Sequence, residues 1–292
     1  MSNGLSSSLS GMTNVLVLSQ ASLNGGDADV VDANVDVVNA MYAELLDVEE
    51  IADNALRSYY VDFYLTQSLE GGFAQYVFTA PERENIDAYI RAGLGSMGAV
   101  AHLDLFNRTV AAFDSLSEDD ADTYLDGDAD GDAGLDADGG AGASEAVRRL
   151  EELDVEFEEL LETEDIIALN AAWLRGQEDL LVLDDEELDR HIAERVARIP
   201  NLEERQAEAA EDARLDAPEF ELTIRELCHV AGHTLQKITM GDPNYDHNGE
   251  RTLAWQFSTD QGEFLMVEDD DEAFMIHPDT KEIVAAVEFE EA

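Results

Sequence analysis

The sequence predicts a mainly α protein, with a multi-helix N-terminal domain followed by a small α+β unit made of one helix and an antiparallel meander. Three observations predict it. Apolar residues recur at spacings of three and four through most of residues 29–200. After Pro218, one further helical pattern gives way to β-rich segments at 252–258, 263–268, 273–277 and 282–289, with turn-like stretches at Asp260 to Gly262 and Asp269 to Glu272. With 292 residues, 45% of them apolar, the chain has enough material to bury a core in each part.

Taken in order, residues 1–28 read as a flexible N-terminus, rich in Ser and Gly up to Thr13, with a short apolar run, Asn14 to Leu18, that suits a strand or a helix start. Val31, Val35, Val38, Tyr42 and Leu45 share one helical face, and Asp47 with Glu50 has the spacing of an N-cap and its capping-box partner. The next helix carries Leu56, Tyr59, Tyr60, Phe63 and Tyr64 and is expected to stop at Gly71-Gly72, where glycine enters positive φ and Phe73 turns back onto the preceding aromatics. Ile86, Tyr89, Ile90 and Leu94 mark another helix, and Leu103, Phe106, Val110 and Phe113 one more. Only seven of the 68 acids fall in residues 51–113, which identifies a segment committed to the core.

Residues 117–143, dominated by Asp, Gly and Ala, read as an acidic loop inserted into the helical domain. Val147, Leu150, Leu153, Phe157 and Leu160 then define an amphipathic helix whose other faces carry Glu151, Glu152, Asp154, Glu156, Glu158, Glu159 and Glu162. Ile166, Ile167, Leu169, Trp173 and Leu174 follow, then a charged helix from Asp184 to Arg198 that stops at Pro200. Residues 201–217 read as a polar linker helix, and 218–292 as the small α+β domain, its helix running from Ile224 through Leu235 and Ile238.

The charge is the outlier. Sixteen basic residues face 68 acids, for a net charge of −52, and only Lys237 and Lys281 are lysines. Two readings compete. Molar salt screens charge within about 3 Å, so such a surface suits a halophile's salt-filled cytoplasm. Alternatively, it is a dedicated surface for a basic partner. Either reading disfavours direct nucleic-acid binding, because phosphates need cations. The single cysteine, Cys228, fits a reducing compartment, and no stretch of about 18 apolar residues suggests a membrane partner. The first basic side chain is Arg57, so a secretory leader is not expected, and the location expected is cytoplasmic.

Motifs for chemistry are sparse. Asp126, Asp128 and Asp130 with Gly131 match half of a calcium loop, but its twelfth position is Ala137 rather than a bidentate acid. His229 and His233 have the spacing of two zinc ligands on one helix face, without the glutamate base of a metalloprotease, and read as surface histidines. Cys228 falls on the apolar face of that helix and reads as an inert buried thiol. The Tyr59/Tyr60/Phe63/Tyr64 cluster reads as core with phenols at the rim. No metal, cofactor or catalytic residue is expected.

One local pattern resembles a known family. Leu56 to Leu65, followed by Gly71-Gly72-Phe73-Ala74-Gln75-Tyr76-Val77-Phe78, is similar to the DNA-mimic-protein domain, as are Arg91 to Phe106 and Leu150 to Trp173. The resemblance spans about residues 14–195, and Glu70 stands where the family usually has Asn. It implies a helical, non-enzymatic domain that presents carboxylates where DNA presents phosphates and so occupies a basic DNA-binding protein. It also marks Gly71, Gly72, Phe73, Gln75, Tyr76 and Trp173 as structural motif residues. The candidate partner face is Glu152, Glu156 and Glu159 on the amphipathic helix, with Asp184, Asp185, Glu187 and Asp189 at the start of the charged helix. The alternatives are an acidic scaffold without mimicry, or a metal protein or enzyme using His229 and His233.

Overall fold

The computed structural model describes residues 15–80, 83–129, 144–247, 249–269 and 272–288. It divides into two compact units, 1–202 and 203–292, and the architecture is mainly α with a five-stranded antiparallel sheet near the C-terminus.

The first unit begins with strand β1 (Val17–Ser19) and helices α1 (Gln20–Leu23) and α2 (Asp27–Ala43). The flexible N-terminus expected over 1–28 is therefore corrected for residues 15–28: Leu16 and Leu18 are buried, and β1 pairs in parallel with β2 (Leu181–Leu183). Pairing across so long a sequence separation leaves no local signal. A 3₁₀ turn at Val48–Glu50 carries the capping box of Asp47 and Glu50.

The long helix α3 (Asp53–Thr79) contains the Gly-Gly-Phe centre. The expected stop at Gly71-Gly72 is a kink, and the helix resumes at once. Only Gly72 takes a positive φ (66°), whereas Gly71 is extended at −162°. A side chain at Gly72 would also meet the Asp154 carboxyl group at 3.1–3.3 Å. Glycine is thus required there by backbone and by space. Helices α4 (Arg83–Met97) and α5 (Val100–Phe113) pack beside it.

Residues 118–129 form helix α6 (Glu118–Ala129), which corrects the first half of the inserted loop expected over 117–143. Tyr124 is the reason. It is 6% exposed, its ring lies 6.1 Å from that of Phe113, and it anchors the segment to the core. Residues 130–143, with most of the calcium-loop pattern, lie outside the described residues. Helices α7 (Glu145–Leu161), α8 (Ile166–Arg175) and α9 (Asp185–Val196) complete the unit.

Two apolar clusters hold it together. Tyr64, Phe73, Tyr76, Phe106, Leu150 and Phe157 centre one, between α3, α4, α5, α6 and α7. Leu18, Val30, Val38, Leu56 and Leu174 centre the other, between β1, α2, α3 and α8. Trp173 packs against both.

The second unit holds α10 (Leu202–Leu215, its first residue belonging to unit one), which buries no residue, then α11 (Glu219–Ala231) and strands β3 (Leu235–His247), β4 (Glu250–Thr259), β5 (Gly262–Asp269), β6 (Glu272–Ile276) and β7 (Ile283–Glu288), in that order across the sheet. The helix expected to run through Leu235 and Ile238 ends at Ala231 instead. Gly232 adopts φ 72°, and the His233 amide donates to the Cys228 carbonyl at 2.8 Å, a left-handed helix stop. The chain then enters β3, whose partner β4 lies further along the sequence. Ile224, Leu227 and Cys228 of α11 cover Phe257, Phe264, Met266 and Met275 of the sheet, and Phe220 stacks on Trp255 at 3.8 Å.

Candidate functional site

The amphipathic pattern of α7 positions its carboxylates. Val147, Leu150, Leu153 and Phe157 are buried against α3, α5 and α6, so the opposite ridge faces solvent. Ser144 accepts from the Val147 amide at 3.2 Å and starts the helix. On the outer ridge Glu151, Glu158, Glu159 and Glu162 are exposed. None of these four makes an ion pair among the described residues.

Of the three α7 acids expected at a partner face, Glu159 alone stands free in this way. Glu152 accepts from Arg149 at 2.9 Å. Glu156 is held on both oxygens by Arg108, at 2.9 and 2.5 Å, and that guanidinium keeps its carboxyl below the usual glutamate range. Arg108 also pairs with Asp104 at 2.8 Å.

On α9, Asp184 and Glu187 form a capping box: Asp184 accepts the Glu187 amide at 2.9 Å, and Glu187 accepts the Asp184 amide at 3.2 Å. Both carboxylates thereby hold the helix start. Asp185 and Asp189 are exposed, and Asp189 borders a cleft of about 620 Å³ with Ala40, Ile192 and Val196. α7 packs on α3, α5 and α6, and α9 on β1 and β2, so the two acidic sets flank different cores.

A structurally important acid missed by sequence reasoning is Asp154. It was grouped with the solvent-facing acids of α7. Its Oδ1 accepts the Phe73 amide at 2.9 Å, and its Oδ2 accepts from the Tyr124 hydroxyl at 2.8 Å. One carboxylate therefore caps the helix restart after Gly72, orders α6 and ties both to α7. The available signal was angular: Asp154 lies four residues after Leu150 and three before Phe157, on the flank of the apolar stripe.

The remaining motif residues are structural. Phe73 and Tyr76 are buried, and the Tyr76 hydroxyl donates to Asp87 at 2.6 Å. Burial raises both groups above their ordinary pKa, while Arg91 pairs with Asp87 at 3.3 Å. Gln75 donates to Gln67 at 3.3 Å, and the Trp173 carbonyl accepts from Gln177 at 2.9 Å. Tyr42, Tyr59, Tyr60 and Tyr89 form a half-buried cluster of edge-to-face and tilted rings, with the Tyr42 and Tyr60 hydroxyls 3.0 Å apart. Beside it, burial and the neighbouring Asp32 push Asp62 up to about 6.

The two histidines, expected on one helix face, are separated by the end of α11. His229 is exposed near the end of α11, whereas His233 follows Gly232, off the helix, with its ring 5.1 Å from Phe264 and Nδ1 3.3 Å from the Thr259 hydroxyl. Among the described residues no group of three or more His, Cys, Asp or Glu could hold a metal. Cys228 is buried, and burial raises its thiol. No described helix is long and apolar enough to cross a membrane.

In the helical unit, exposed carboxylates line the outer face of one amphipathic helix, α7, whose inner face is apolar. Residues 49–177 match the family model of the DMP19-like protein, and this segment is a DNA-mimic family domain. It takes in α3 to α8 and the whole Gly-Gly-Phe centre, and is narrower than the 14–195 that the resemblance suggested. Searches of the curated proteins and of the solved structures returned no significant match.

Proposed function

We propose that the protein is a non-enzymatic interaction protein whose helical unit imitates DNA and occupies the basic surface of a DNA-binding protein. The observation that carries this reading is the unpaired ridge Glu151, Glu158, Glu159 and Glu162 on α7, inside the family-matched segment. At 1.5 Å per residue these four carboxylates spread over about 16 Å of helix axis. A duplex places one charge per about 1.7 Å over both strands, so α7 alone reaches less than half that density. The neighbouring α6 supplies more: it packs on α7, and Glu118, Asp119 and Asp122 are exposed on it. Packed helix axes lie about 8–10 Å apart, which allows two carboxylate rows side by side.

The test is competition. Immobilised protein is incubated with native lysate at moderate and high salt, and bound proteins are eluted with duplex DNA. The reading expects basic DNA-binding proteins that duplex DNA releases. Retained proteins that ignore duplex DNA would count against it.

A further inference from the structure

The two lysines of this chain are placed differently from its arginines. Among the described residues, at least eight of the 14 arginines pair with carboxylates of their own chain. Lys237 and Lys281 make no ion pair among the described residues, yet both line one cleft of about 520 Å³ at the β3–β4–β5 end of the sheet. Such a volume suits a small organic molecule.

The backbone around the cleft is irregular in a way that aims these side chains. The β3–β4 register shifts between Leu235 and Lys237, between Ile238 and Met240, and between Asp242 and Tyr245. Bulges of this kind re-aim side chains and cluster beside sites. Lys281 sits in the β6–β7 connection at φ 60°, a left-handed position that glycine or asparagine takes at less cost. The loop is closed by the Lys281 amide on the His277 carbonyl at 2.9 Å. From there the Lys281 ammonium lies 4.5 Å from the centre of the Tyr245 ring and donates to its hydroxyl at 2.9 Å. An ammonium has three donors, so two remain. Leu265, which is buried, and the Tyr245 ring form the apolar wall of the cleft, on the sheet face opposite α11. Asp242 and Glu263 also border the cleft; Asp242 accepts the Asn244 amide at 3.0 Å, and Glu263 is exposed. With two cations and two anions the cleft is electrically balanced, in a chain that elsewhere repels anions.

We propose that this cleft binds a small organic anion with an aromatic or aliphatic body, its carboxylate or phosphate group held by Lys237 and Lys281 and its body lying against Leu265 and Tyr245. The inference concerns the second unit alone and does not depend on mimicry.

Because the chain has only two lysines, the test reads each one. Reductive ¹³C-methylation of the full-length protein keeps both charges and gives one resonance per lysine, plus one for the N-terminal amine. Benzoate and phenyl phosphate are titrated in separate arms, with potassium chloride and benzyl alcohol as controls. The proposal expects both lysine resonances to shift and saturate with one common dissociation constant in at least one anion arm, while the N-terminal resonance stays still. Which arm binds more tightly distinguishes a carboxylate from a phosphate ligand. Lys281→Gln should weaken binding tenfold or more. Lys237→Gln, at an exposed strand position, should do the same, and it decides the matter if Lys281→Gln fails to fold. Shifts in both anion arms that stay linear and match those with chloride would overturn the proposal, as would saturable binding unchanged in a folded Lys237→Gln variant.

Discussion

Residues 1–202 hold 44 acids against ten basic side chains, and residues 203–292 hold 24 against six. Per residue the two units are almost equally acidic, yet their cations are used differently. In the helical unit Arg108, Arg149 and Arg175 are tied to Asp104 and Glu156, to Glu152 and to Asp27, and the ridge of α7 is left as bare carboxylate. In the β unit Lys237 and Lys281 pair with no carboxylate among the described residues and turn into one cleft. Net charge therefore says little about what either unit offers a partner. Which cations are already engaged decides it.

The largest effect should come from salt, and it probes the equality of the two units. Unscreened repulsion reaches about 30 Å at 0.01 M ionic strength, against about 3 Å at 1 M. Dialysis from molar to millimolar potassium chloride should lower the melting temperature of both units. Each unit has one tryptophan, Trp173 and Trp255, so single-tryptophan variants report them separately. A unit whose melting temperature does not move would show that its acids are too dispersed to repel.

Next comes Asp154→Ala, which should break the symmetry. It strips the Phe73 amide and the Tyr124 hydroxyl of a charged acceptor. Hydrogen bonds to charged groups are worth about 1.5–3 kcal/mol each, and they share one side chain here, so the helical unit should lose about 3 kcal/mol in denaturant unfolding. The Trp255 signal should be unaffected.

A smaller effect is expected at Asp62, whose folded pKa of about 6 lies above its ordinary 3.8. Between these values the folded state binds more protons than the unfolded state, so this group makes stability fall as pH rises from about 4 to about 6. Partial exposure screens the effect to about 1 kcal/mol. Asp62→Asn should raise stability at pH 7 by that amount and remove this part of the pH dependence. An unchanged profile would mean that Asp62 is solvated. Smallest is Glu156→Gln: the Arg108 pair is exposed, so stability should change by no more than about 1 kcal/mol.

Much of the fold was legible because local patterns carry it. The stripe Val147, Leu150, Leu153 and Phe157 gave α7 its face, and alternation gave β4 to β7 their strands. What was not legible depends on partners distant in sequence. β1 pairs with β2 across more than 150 residues, α6 rests on one tyrosine reaching Asp154, and β3 exists because β4 follows it. Of the candidate face, Glu159, Asp185 and Asp189 are exposed and make no ion pair among the described residues. Glu152 and Glu156 are engaged by arginines that sequence spacing could not fully assign: Arg149 is three residues from Glu152, but Arg108 is 48 residues from Glu156. Asp184 and Glu187 carry the spacing of a capping box and form one.

The central claim is that the outer ridge of α7 is the surface a DNA-binding protein sees. The most direct measurement compares wild type with Glu151→Lys/Glu158→Lys/Glu162→Lys for affinity to the partner that duplex DNA releases, across a salt series. These three residues are exposed and unpaired among the described residues, so stability should change by no more than about 0.5 kcal/mol per site. The account predicts that wild-type affinity falls steeply with salt and that the triple variant loses binding at moderate salt, since like charges brought together cost several kcal/mol. Equal affinity and an equal salt slope for the two proteins would contradict it.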